Sequence, residues 1–128
     1  MNTMEDLYNV LKEIGCEAER KLKEELSGPT GRLKALFYNL ITPMVLNFQT
    51  EREHYHFIFH KGGSISLHPG LHMNPDVNVS GEHAELLYLL QNRDKKRFEV
   101  DERASKVKII PRSLKGMQAV TKLRELFL

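Results

Sequence analysis

The chain has 128 residues (14.9 kDa), 19 basic and 17 acidic side chains, one cysteine and no tryptophan. That length suits a single domain over residues 1–128 whose core needs no metal or disulfide staple, and the lone Cys16 excludes an internal disulfide. A formal net charge of +2 is too small to imply nucleic acid, and no apolar run approaches the ~18 residues of a membrane span. The opening Met1-Asn2-Thr3-Met4-Glu5-Asp6 also lacks the basic-then-apolar order of a signal peptide, so a cytoplasmic location is expected.

Residues 1–26 place Met4, Leu7, Leu11, Ile14, Ala18, Leu22 and Leu26 at spacings of three or four, which predicts a long amphipathic helix. Thr3 is positioned to cap it, with Asp6 at capping-box spacing. The stripe suits the chain's own core first, and it would also suit a homodimer through this helix. Cys16 in its middle reads as a semi-buried structural thiol. Ser27-Gly28-Pro29-Thr30-Gly31 breaks the pattern, so residues 1–30 form a helix with its linker and residues 31–128 the core. A second helix follows, with Leu33, Leu36, Phe37, Leu40 and Ile41 on one face before Pro43 stops it.

From residue 44 to 80 the period changes from 3.6 to 2, the signature of strands. Met44, Leu46 and Phe48 share a side, as do Tyr55, Phe57 and Phe59, then Ile65 and Leu67, then Val77 and Val79. One face is apolar and the other polar, which predicts an antiparallel sheet covered on one side. A two-residue Gly62-Gly63 turn would set Phe59 opposite Ser66 and mix the faces. A loop of Lys61 to Gly63 pairs Phe59 with Ile65 and Phe57 with Leu67, so the longer loop is preferred.

Ser80 is the expected cap of a third helix rich in leucine, through Ala84, Leu86, Leu87, Leu89 and Leu90. Arg93 to Arg97 reads as a charged loop, Lys106 to Ile110 as a last strand, and Ser113 as the cap of a final helix carrying Leu114, Met117, Val120, Leu123 and Phe127. The class is α+β, with a five-stranded, mainly antiparallel sheet covered on one face by helices.

No phosphate loop, dinucleotide-binding glycine pattern or zinc-protease motif is present, so no catalytic residue, no enzyme activity and no cofactor are assigned. Of six histidines, His56 and His68 become cross-strand neighbours in the preferred register, with His54 and His60 alongside. His54, His56 and His68 are the nearest approach to a metal set, but no cysteine or carboxylate completes it, and a solvated polar face is the reading preferred. Residues 1–26 hold four basic and seven acidic side chains, whereas residues 93–128 hold eleven basic and five acidic. The basic C-terminal part could lean on an anionic membrane; without exposed aromatics or a helix-turn-helix it is not read as a nucleic-acid site.

Three stretches carry a family resemblance. Asn74-Pro75-Asp76-Val77-Asn78-Val79-Ser80, then Glu82 to Leu90, then Lys106-Val107-Lys108-Ile109 with Gly116 to Leu123, resemble a strand, the helix after it, and the final strand and helix of the sterol carrier protein type 2 family. The likeness runs from about Leu46 to Leu128. It departs where Ser105 and Pro111 stand in place of glycines flanking the last strand, in the unusually long first helix, and in an ending that is not a Ser-Lys-Leu peroxisomal address. The resemblance implies an apolar tunnel between sheet and helices that holds a sterol, fatty acyl or isoprenoid lipid, bound without catalysis and passed on. By position its wall would be Phe57, Phe59, Ile65 and Leu67 from the sheet, Leu86, Leu87 and Leu90 from the middle helix, and Met117, Val120, Leu123 and Phe127 from the last. The rival readings are an assembly subunit with a filled core that docks through its first helix, and a metal site on the sheet histidines.

Overall fold

A computed structural model of the chain describes residues 6–128. Helix α1 spans Asp6–Ser27 and α2 Gly31–Ile41. Strands β1 (Met44–Gln49) and β2 (His54–Phe59) form a hairpin, and a single 3-10 turn at Lys61–Gly63 leads into β3 (Ile65–Pro69). Then come β4 (Val77–Gly81), α3 (His83–Asn92), α4 (Lys95–Arg103), β5 (Val107–Pro111) and α5 (Leu114–Phe127). The expected Thr3 cap and Met4 lie outside the described residues.

The strands form one five-stranded sheet in the order β3-β2-β1-β4-β5. Phe59 pairs with Ile65 and Phe57 with Leu67, as the three-residue loop requires. All neighbours are antiparallel except β1 and β4, which run parallel, Leu46 beside Val77 and Phe48 beside Val79. The alternation of β1 to β4 therefore describes which face is apolar but not the direction of every pair.

All helical cover lies on the apolar face. Leu7, Leu11, Ile14, Ala18 and Leu22 of α1 are buried in one cluster with Leu46, Phe48, Phe57, Phe59, Val77 and Val79. Each buried Leu or Ile contributes about 1.5–3 kcal/mol by leaving water. Gly15 lets α1 approach β2 closely: a Cβ there would sit 2.9 Å from Phe57 Cε1. At the other side of the layer, a Cβ on Gly116 of α5 would fall 2.0 Å from the Asp76 carbonyl oxygen, so only glycine permits that helix to lie on β4.

The turn between β1 and β2 ties the layers together. Glu53 is buried, and its carboxylate accepts the Leu7 amide at 3.0 Å, the Tyr8 amide at 3.3 Å and the Tyr55 hydroxyl at 2.6 Å. Glu51 accepts the His83 amide at 2.7 Å. Two acidic residues of one turn thus cap two helices, α1 and α3, each placed where the positive end of the helix dipole favours an anion. Ser80, expected to cap α3, belongs to β4 instead, and Glu51 does that work from just past the end of the neighbouring strand β1. Ser113 caps α5 as expected, its hydroxyl accepting the Gly116 amide at 3.0 Å.

Further corrections follow from side chains that have no apolar stripe to announce them. Arg93 to Arg97 is not a loop throughout: Asp94 caps α4 by accepting the Arg97 amide at 3.1 Å, and only Phe98 and Asp101 of that helix are buried. Cys16 is exposed rather than semi-buried, because Gly15 beside it takes the inward position. The opposed charges at the two ends of the sequence meet in space, with Arg93 on Glu17 at 2.7 Å and Lys122 on Glu25. Among the described residues, no helix is long and apolar enough to cross a membrane.

Candidate functional site

The space between sheet and helices is nearly full. Phe127 of α5 reaches into its centre, its ring centroid 5.6 Å from that of Phe48, 5.3 Å from Phe57 and 6.4 Å from Phe59. What remains is a cavity of about 30 Å³ bordered by Leu46, Val79, Leu90, Phe98, Leu123 and Phe127. That is room for a water molecule, not for a lipid.

Of the side chains expected on a tunnel wall, Leu90, Leu123 and Phe127 border this cavity. Phe57, Phe59, Leu86 and Leu87 are buried in the core, and Ile65, Leu67 and Val120 are partly buried. Met117 stands outside, 64% exposed.

A larger apolar space lies within the helical layer. Between α1, α2 and α5 runs a groove of about 420 Å³, walled by Leu22 and Leu26 of α1, Leu33, Phe37, Tyr38 and Ile41 of α2, and Ala119 of α5. Its charged rim includes Lys34, Glu25 and Lys122. Glu25 accepts from Lys122 at 2.7 Å, so these charges offset one another. The size falls in the usual range for small-molecule pockets. The Tyr38 hydroxyl is buried without a hydrogen-bond partner, and burial, with Glu19 nearby, pushes its pKa up to about 12.

The groove was not legible in the sequence, because it depends on how α2 is turned. Tyr38 and Ile41 face inward, whereas Leu33, Leu36, Phe37 and Leu40 are 76%, 64%, 51% and 82% exposed. Of the face expected from the sequence, Ile41 turns inward and the other four side chains point outward. Lys61 fixes the end of α2 by donating to the Asn39 carbonyl at 2.5 Å and the Thr42 carbonyl at 2.7 Å.

The histidines lie where the register placed them. His56 and His68 are cross-strand partners on the outer sheet face, their rings stacked at 5.0 Å, and His72 meets His56 edge-on at 5.4 Å. Their nitrogens are engaged elsewhere: His56 Nδ1 is 2.9 Å from the Gly70 carbonyl, and His60 and His68 each place Nε2 2.8 Å from Ser66 Oγ. His54 is exposed at the start of β2. Burial, then the neighbouring His56 and His60, lower the His68 pKa. Among the described residues no group of three or more His, Cys, Asp or Glu side chains is arranged to hold a metal ion.

One constellation escaped the sequence reading. Thr50 Oγ1 is 3.0 Å from His83 Nδ1, and His83 Nε2 is 3.6 Å from Glu53 Oε2. The order hydroxyl, imidazole, carboxylate resembles a nucleophile relay. All three residues are buried, however, and Thr50 Oγ1 also takes the amides of Arg52 at 3.1 Å and Glu53 at 3.0 Å, so the set serves the turn that caps α1. Thr50 and Glu53 share one turn, but His83 is 33 residues from Thr50, on α3, and no short spacing joins it to them.

No family model and no curated protein matches the sequence. Solved structures do match the fold. A UbiJ-SCP2 ubiquinone synthesis protein superposes with a TM-score of 0.53 at 14% identity, covering 90% of this chain and 93% of that one. Sterol carrier protein 2 like 2 from Aedes aegypti superposes with a TM-score of 0.50 at 14% identity, covering 94% of both chains. The fold is sterol-carrier-like, as the resemblance from Leu46 onward implied.

Proposed function

We propose that this chain binds one lipid with a long apolar portion, fatty acyl, isoprenoid or sterol, and carries it without reacting with it. The observation that carries this reading is the groove of about 420 Å³ between α1, α2 and α5, apolar along its walls and charged only at its rim. Burying apolar surface there at ~25 cal/mol per Å² gives affinity without directional contacts, which fits a fold in which the Thr50, His83 and Glu53 set is buried in a structural turn. The structural neighbours, a ubiquinone synthesis protein and a sterol carrier protein, support the same class of ligand. The wall proposed here differs from the one expected by position: Leu26, Leu33, Phe37 and Ala119 hold the ligand. Phe127 and the side chains around it form the floor beneath the helical layer.

Native mass spectrometry of freshly purified protein, followed by organic extraction, tests the class of ligand, and uptake of a fluorescent fatty acid tests the place. Ala119→Phe, which fills the groove, and Leu26→Gln, which makes its wall polar, should each lower uptake about tenfold or more, a loss of ~1.4 kcal/mol. Unchanged uptake in both, with altered uptake in Phe127→Ala, would move the ligand between sheet and helices and overturn the groove. An apo mass together with no uptake of acyl or sterol probes would overturn lipid binding itself.

A further inference from the structure

The outward face of α2 lacks any cover among the described residues. Leu33, Leu36, Phe37 and Leu40 form a single stripe, and each is more than half exposed. This is not the fraying of a weak helix. Tyr38 and Ile41 anchor the flank beside it, Thr42 Oγ1 donates to the Tyr38 carbonyl at 2.8 Å, and Lys61 closes the end. The helix is held with its apolar side to solvent.

Charge indicates what covers it. Residues 31–43 contain Arg32 and Lys34 and no aspartate or glutamate. Both are exposed, and neither has an acidic partner among the described residues. The Lys61 ammonium sits on the carbonyls at the C-terminal end of α2, where the helix dipole would otherwise repel an anion. A two-fold pairing of this face with a second copy would bring these unneutralised cations together without an acidic residue on the segment to meet them.

We infer that α2 adsorbs to an anionic lipid bilayer, lying flat in the headgroup layer with its leucines and Phe37 toward the acyl chains and Arg32 and Lys34 reaching to lipid phosphates. Because Leu33 and Phe37 belong both to this stripe and to the groove wall, adsorption sets the groove mouth at the bilayer surface, where a lipid passes from one to the other without crossing water. The adsorption itself follows from the exposed stripe and its charge; only the transfer step rests on the proposed lipid site.

The experiment is flotation of the full chain with phosphatidylcholine vesicles containing or lacking phosphatidylglycerol. Binding is expected on the anionic vesicles. Leu36→Asp with Leu40→Asp, at exposed positions outside the groove wall, should abolish it while circular dichroism is unchanged. Arg32→Gln and Lys34→Gln should each weaken it about fivefold on anionic vesicles and leave neutral ones unaffected. No binding, or equal binding by the aspartate variant, overturns the inference. So does a sedimentation mass showing a dimer that the aspartate variant dissolves, which would assign the stripe to a second copy. The two proposals fail separately. The aspartate variant should still take up a fatty acid delivered from solution, and Ala119→Phe should still float with vesicles.

Discussion

Helices α1 and α2 both place leucines at spacings of three and four, yet α1 turns them onto the sheet and α2 turns them to solvent. The difference lies in what each helix carries beside that stripe. Away from its stripe α1 has charge, including Arg20 and Glu24, which stay in water and pair with each other there. Flanking its stripe α2 has Ile41 and Tyr38, which dock in the interior, so its apolar arc is wider than one contact covers. So wide an apolar arc on one short helix leaves most of it uncovered. In a protein proposed to exchange lipid, that remainder is where function is to be sought, because stability has no use for it.

The sharpest way to break this comparison is to truncate one leucine from each stripe. Leu11→Ala should cost about 2–5 kcal/mol in urea denaturation, as a fully buried leucine leaves a cavity. Leu40→Ala should stay within about 0.5 kcal/mol, since it is exposed. Equal costs would mean that α2 is covered in solution. A smaller effect sharpens the account of why α1 docks as it does. Glu53→Ala removes the acceptor of the buried Leu7 amide, and should cost about 1–3 kcal/mol, with Glu53→Gln recovering part of it by keeping an amide oxygen in place.

The smallest expected effect concerns α4, which has no stripe at all. A hydrogen bond to Glu85, then burial, then the Glu85 charge raise the Asp101 pKa, while Arg97 and Asp101 lower that of Glu85. A raised carboxyl favours the fold at pH below its unfolded value, and that contribution is lost as pH rises through the folded value. Asp101→Asn should therefore match the parent in acid and gain at neutral pH, a rise of about 1–3 °C in Tm. A loss at neutral pH would show that the Asp101 charge is useful to α4. Glu85 has the opposite sign, its contribution being lost as pH falls through its lowered value, so Glu85→Gln should lose stability at neutral pH and converge with the parent in acid.

Periodicity makes most of the sheet legible in the sequence. Phe57, Phe59, Ile65 and Leu67 alternate strictly, and preserving one apolar face selected the loop at Lys61–Gly63 and with it the whole β2–β3 register. The parallel pairing of β1 with β4 was not readable, because alternation is the same in either direction. Helix α4 was hidden by its composition, Lys95 to Arg103 offering only Phe98 and Val100 as apolar signals. The candidate site was the least legible part. Leu33 and Phe37 belong to an expected helix face, but nothing local says which edge of so wide an apolar arc will turn inward. Met117, expected inward from its stripe, instead lies outside while Ala119 and Leu123 of the same helix face the interior.

The turn at Glu51 and Glu53 has a consequence for how the molecule opens. The first amides of a helix have no partner within it and normally exchange their hydrogens freely with solvent. Here the amides of Leu7, Tyr8 and His83 are held by carboxylates from a hairpin up to 46 residues away in sequence. Deuterium should enter those positions slowly, and at a shared rate, since releasing any of them means displacing the same turn. The start of α1, the start of α3 and the β1–β2 hairpin would then breathe as one unit, leaving α2 and the groove free to fluctuate on a clock of their own.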